Sequence, residues 1–219
     1  MVVSSGYVQL LLADARLPTG AHTQSGGLEP ALRHGLARGE IPAFLSARLQ
    51  TVTETEAAAA VVARHRRLAG PTDGLADVDD AWRARTPSDA ARTASDLLGR
   101  GYRRLAERIW SLGLDPARTY GRPVVLGATA AAAGLGAAEL VRVVGYDDVQ
   151  TVLSAALKLE PFDPAQATAW ALAAGDEVEA LVARVADLTE PDTIPARSAP
   201  ALELWLQWHA HEERRLYRA

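Results

Sequence analysis

The chain has 219 residues, a formal net charge of −4 and 48% hydrophobic residues, enough for one domain with a sizeable core and no need of a disulfide or metal staple. It contains no Cys, which excludes disulfides, Cys-ligated zinc, iron–sulfur clusters and thiol nucleophiles. A sequence pI near 5.7 argues against a whole-surface attraction to nucleic acid or to an anionic membrane.

Apolar residues recur at spacings of three and four nearly throughout. In chain order this predicts helices over 6–14, 27–38, 41–69, 73–85, 89–112, 121–134, 136–158, 163–188 and from Ser198-Ala199-Pro200 to Leu216. Asp115-Pro116 reads as one more start, and Asp163-Pro164 is an N-cap followed by Pro at the first helical position. In the segment 89–112, Ala94, Leu97, Leu98, Tyr102, Leu105, Ile109 and Leu112 form the apolar stripe, while Arg100, Arg103, Arg104, Glu107 and Arg108 form the opposite face. Sustained period-2 alternation is missing, and Asp73-Gly74 sits among polar residues rather than between β-branched runs. The expectation is one all-α domain over 1–219, of about nine or ten helices. Val124 to Val144 is the most apolar stretch, but its Ala and Gly content and its Glu139 and Arg142 read as a buried helix pair rather than a span. Met1 to Ser5 lacks the basic start of a signal peptide, so the expected compartment is the cytoplasm.

The residues offer little chemistry. Lys158, the one Lys beside 22 Arg, is followed by Leu159, so a phosphate loop with its Gly-Lys-Ser/Thr is excluded. Ser25 has Thr23 where a nucleophile elbow needs Gly; it is expected to cap a helix beginning near Gly26, with Glu29 near the first turn completing the cap. His209 and His211 are two apart and point about 200° from each other on a helix, so they cannot share a metal ion. A surface or helix-end role is expected for all five His. Asp73, Asp77, Asp79 and Asp80 lack the Gly and Glu spacing of a calcium loop and are expected to form a solvated acidic segment. No cofactor is implied, and a binding or assembly protein fits better than an enzyme.

The segment Leu17-Pro18-Thr19-Gly20-Ala21-His22-Thr23-Gln24-Ser25-Gly26-Gly27-Leu28-Glu29 resembles the opening of the urease accessory protein F family, whose pattern is Leu-Pro-x-Gly-Ala-x-x-x-Ser-x-Gly-Leu-Glu. Pro18, Gly20, Ser25, Gly27, Leu28 and Glu29 match in register. Ser95 and Gly99 resemble the family's Ser-x-x-x-Gly stretch, and His209 with Arg215-Leu216-Tyr217 resembles its His-Glu…Arg-Leu-Phe terminus. Ala210 stands where that family has Glu, and Pro161-Phe162-Asp163-Pro164 replaces a Pro-Leu-Gly-Gln segment; such departures suggest a divergent, actinobacterial-type member. The resemblance implies a non-enzymatic, homodimeric assembly factor that binds the H/D accessory protein and the GTP-hydrolysing accessory protein G. Together they would deliver nickel to apo-urease, with the GTPase step modulated. It also implies that Pro18, Gly20, Ser25, Gly27, Leu28, Glu29, His209, Arg215, Leu216 and Tyr217 are partner-binding, within a C-terminal tail near 209–219 for the last four. Membrane and nucleic acid are not expected partners. The competing reading is an all-helical small-molecule-binding or regulatory domain.

Overall fold

The computed structural model describes residues 3–70, 74–212 and 216–217. Among them are eleven α-helices, three short 3-10 turns and no strand. In order these are α1 (Ser5–Leu12), α2 (Leu28–Arg33), α3 (Ile41–Leu49), α4 (Val52–Ala69), α5 (Leu75–Ala84), α6 (Asp89–Trp110), α7 (Arg122–Ala132), α8 (Ala137–Leu159), α9 (Pro164–Ala173), α10 (Gly175–Val185) and α11 (Pro200–Ala210).

The count exceeds nine because two expected helices are broken. Between α3 and α4, Thr51 leaves the helical region at φ −132° and ψ −88°. Its hydroxyl donates to the Ala47 carbonyl instead. The reorientation lays the Ala57–Ala60 run of α4 against α7, all of it buried. Short side chains let the two axes approach: a Cβ on Gly127 would lie 2.2 Å from the Ala60 carbonyl oxygen. The other break separates α9 from α10 at Ala174. Helix α2 ends early because Gly35, at φ 102°, closes it in the left-handed region that favours Gly.

Helices α4 and α7 form the centre, with α5, α6 and α8 packed around them. Helix α8 is long enough to serve two cores. Its first half, Leu140 to Val144, joins α1, α4, α6 and α7. Its second half, Val149 to Ala156, joins α2, α3, α9, Leu202 and Tyr217.

Several expectations are corrected. The buried stripe of α6 is Ser95, Gly99, Gly101, Tyr102 and Ala106, whereas Leu97 and Ile109 are 38% and 52% exposed. The neighbouring backbone lies too close for large side chains: a Cβ on Gly99 would sit 2.3 Å from the Tyr120 carbonyl oxygen. Asp115-Pro116 starts no helix. Arg103 donates to the carbonyls of Leu114, Asp115 and Arg118 and holds that segment as a turn. Asp79 is not solvated: it is 1% exposed, accepts the Gly121 N–H at 2.8 Å and pairs with Arg83 at 2.7 Å. Asp77 and Asp80 lie with it on α5, and Asp73 falls outside the described residues. Helix α11 ends at Ala210, leaving Leu216 beyond it and exposed.

Candidate functional site

The N-terminal motif and the end of the chain meet. Gly27, at φ 80°, is the N-cap of α2, a conformation that Gly adopts without strain. Ser25 stands two residues before this cap, fully buried, and its Oγ accepts the Glu29 N–H at 3.3 Å. The expected cap bond is thus made from outside the cap position. Leu28 enters the core beside Ala31.

Glu29 does more than face a helix end. It is 1% exposed, and its two carboxylate oxygens accept the backbone N–H groups of Leu216 and Tyr217, each at 2.8 Å. Arg33, one turn on, donates to the same carboxylate at 2.7 Å. A buried carboxylate needs this set of donors, since an unpaired buried charge is costly. His209 lies at 0% exposure, which corrects its expected surface setting, although it does occupy the last turn of α11. Its Nε2 faces the Tyr217 carbonyl at 3.1 Å, and its Nδ1 faces Glu212 at 2.9 Å. Both partners are acceptors, so each contact is a hydrogen bond when the ring nitrogen facing it carries a proton. Arg33 also reaches Glu212 at 2.7 Å.

Ser25, Gly27, Leu28, Glu29, His209, Leu216 and Tyr217 are therefore one cluster. Tyr217, 5% exposed, belongs to the core. Pro18 and Gly20 lie apart from the cluster. Gly20, at φ 92°, turns a loop whose Thr19 carbonyl packs on α6 at Gly101. Arg215 lies outside the described residues.

Beneath the motif lies a charged network that the sequence pattern does not reveal. Arg48 of α3 pairs with Asp148 of α8 and donates to the Gly26 carbonyl at 2.6 Å. Thr53 donates to Asp148 at 2.8 Å. Arg122 bridges Glu56 at 2.8 Å and Asp147 at 2.7 Å, and its own N–H goes to Ser95. Three carboxylates thus face two guanidinium groups in a largely buried setting. Burial pushes Glu56 and Asp147 above the ordinary carboxylate range, against the pull of Arg122. Burial also acts on Asp148, but Arg48 and the Thr53 hydroxyl outweigh it and hold that carboxyl low. Tyr102 is pushed up to about 12, first by burial and then by Asp147. The one signal available in the sequence was the Glu29/Arg33 spacing of four on a helix; Arg48–Asp148 and Arg122–Glu56 join residues 100 and 66 positions apart.

Among the described residues, no group of three or more His, Asp and Glu side chains could hold a metal ion. No helix there is long and apolar enough to cross a membrane.

Comparison with known proteins agrees with the matching motif and terminus. The UreF family model matches residues 28–175. The chain is 34% identical over 216 residues to the urease accessory protein UreF of Mycobacterium sp. (strain JLS), covering 95% of this chain and 96% of that one. It is 37% identical over 212 residues to the urease accessory protein UreF of Mycobacterium bovis (strain BCG / Pasteur 1173P2), covering 89% and 95%. It is 34% identical over 225 residues to the protein of the same name from Mycolicibacterium vanbaalenii, covering 98% and 99%. A motif, a terminus and a buried cluster that joins them, on a chain matched nearly end to end, lead to one conclusion: this chain belongs to the UreF family of urease accessory proteins.

Proposed function

We propose that the chain is a non-enzymatic, cytoplasmic assembly factor for nickel insertion into apo-urease. It acts by binding the H/D accessory protein and the GTPase accessory protein G, and it modulates the GTPase step. The observation that carries this reading is the joining of the Pro18–Glu29 motif to Tyr217 through Glu29 and His209. The cluster of Ser25, Gly27, Leu28, Glu29, His209, Leu216 and Tyr217 then fixes both segments for a partner to meet, and Pro18, Gly20 and Arg215 are proposed as further partner-binding residues beyond it. A preorganised surface loses less freedom on binding than a loose tail does.

A homodimer is supported by a second feature. Helices α1, α8 and α10 enclose a groove of about 870 Å³ flanked by Leu10 and Tyr146, which are 74% and 49% exposed. Exposed apolar surface of this kind marks protein interfaces.

The test is a pull-down of the full chain against the H/D and G proteins, with mass read by light scattering. The expected result is a complex containing two copies of this chain. Removing residues 215–219 is expected to abolish binding to the H/D protein while leaving a helical circular dichroism spectrum. Wild-type binding by the truncated chain would refute the role of the tail, and a wild-type chain that binds neither partner would refute the assembly reading.

A further inference from the structure

Helix α6 carries a second surface, which Gln24 of the motif borders. Arg100, Arg104 and Arg108 are exposed and stand at successive turns, about 6 Å apart along the axis. None of the three has a carboxylate partner among the described residues, in a chain of net charge −4. The neighbouring arginines are engaged: Arg92 with Asp89, Arg83 with Asp96 and Asp79, and Arg103 with three carbonyls. Glu107, the carboxylate beside the row, accepts the N–H groups of Gly113 and Leu114. The row therefore offers uncommitted guanidinium groups, the side chain best suited to carboxylates.

The row also stands on the helix that walls a groove of mixed apolar and polar lining. At 100° per residue, Arg104 and Arg108 each fall within about 20° of Leu97 on α6, one on either side. Leu97 is 38% exposed and, with Ala94, Leu206 and Ala210, lines a groove of about 620 Å³ between α6 and α11. A groove with an apolar strip, on the same helix as a line of cations, matches an amphipathic helix with acidic residues along one flank. Nucleic acid fits less well, because the groove is lined by Ala94, Leu97, Leu206 and Ala210 and carries the carboxylate of Asp89.

We propose that the α6–α11 groove and its arginine row dock an acidic amphipathic helix of an assembly partner. The proposal rests on the accessory reading given above. Its test uses the full chain, the H/D and G proteins and apo-urease, with each affinity measured at low and high salt. The triple variant Arg100→Glu, Arg104→Glu, Arg108→Glu is expected to lose on the order of tenfold or more in affinity for one partner and to flatten its salt dependence. Leu97→Asp is expected to weaken the same partner. All four side chains are exposed, and an unchanged circular dichroism spectrum checks the fold. Acid-to-Arg changes on that partner's helix are expected to restore binding to the triple variant. Wild-type affinity and salt dependence for every partner would overturn the proposal while leaving the accessory reading intact. So would a variant that loses only retention on duplex RNA or DNA. A wild-type chain that binds no partner would overturn both readings together.

Discussion

Glu29 has two carboxylate oxygens and three donors: the N–H groups of Leu216 and Tyr217 and the Arg33 guanidinium. Glu29→Gln would turn an amide NH₂ toward one of these N–H groups and strand a buried donor. An unsatisfied buried group costs about 1–3 kcal/mol. The variant is expected to lose about that much stability and to show faster hydrogen exchange at Leu216 and Tyr217. Unchanged protection of those two amides would sink the idea that Glu29 holds the tail. Ser25→Ala is expected to cost about 1 kcal/mol, the usual value for a lost cap bond, as read by urea denaturation. Ser25→Asp is expected to cost more than Ser25→Ala. Ser25 is fully buried, and an ionised carboxylate there would be desolvated. At a solvated cap the two changes would have ranked the other way, and that order in the urea data would contradict the buried geometry.

Among the elements, α6 is held by its smallest residues. Gly99→Ala would bring a Cβ within 2.3 Å of the Tyr120 carbonyl oxygen, and Gly127→Ala would do the same within 2.2 Å of the Ala60 carbonyl oxygen on the α4–α7 seam. Both contacts are to backbone, which cannot rotate away. Each change is expected to destabilise by at least about 1–3 kcal/mol, the range for overpacking. Leu97→Ala and Ile109→Ala, at exposed positions, are expected to stay within about 0.5 kcal/mol of wild type. Urea midpoints for the four variants decide the matter: larger losses at Leu97 and Ile109 than at Gly99 and Gly127 would restore the large-residue stripe as the packed face. Apolar periodicity misplaces that face because it follows the large side chains, whereas close helix approach selects for their absence.

For the molecule as a whole, the buried charge network sets a pH dependence. Burial raises the folded-state pKa values of Glu56 and Asp147 above 4.5 and 3.8, their ordinary values. Between the ordinary and the raised value, the folded state binds more protons than the unfolded state. Stability contributed by these groups is therefore complete below the ordinary value and is lost as pH rises through the raised one. Asp148, held low by Arg48 against its burial, acts in the opposite sense: its contribution is present above 3.8 and is lost as pH falls below it. The two windows lie on opposite sides of the ordinary carboxylate range. Glu56→Gln is expected to flatten the decline in melting temperature as pH rises above 4.5, the ordinary value, with groups outside the network cancelling in the comparison. A decline as steep as wild type would show that Glu56 does not carry the proton.

What the sequence determined by itself was the helix content, the single domain and the family. These rest on local signals: spacings of three and four, Asp163-Pro164 at a helix start, and a motif whose Gly20 and Gly27 sit at φ 92° and 80°, where few other residues go. The motif and the terminus also singled out Ser25, Glu29 and His209. Only the tertiary structure decided what they touch. That Glu29 binds the backbone at Tyr217, 188 positions away, depends on α2 and α11 packing side by side. The Thr51 break, the small-residue face of α6 and the pairing of Arg48 with Asp148 are likewise consequences of which helices lie against one another. A helical period is set by bonds four residues apart and can be read along the chain. A partner across the fold is chosen by packing, and nothing at either end of the pair announces it.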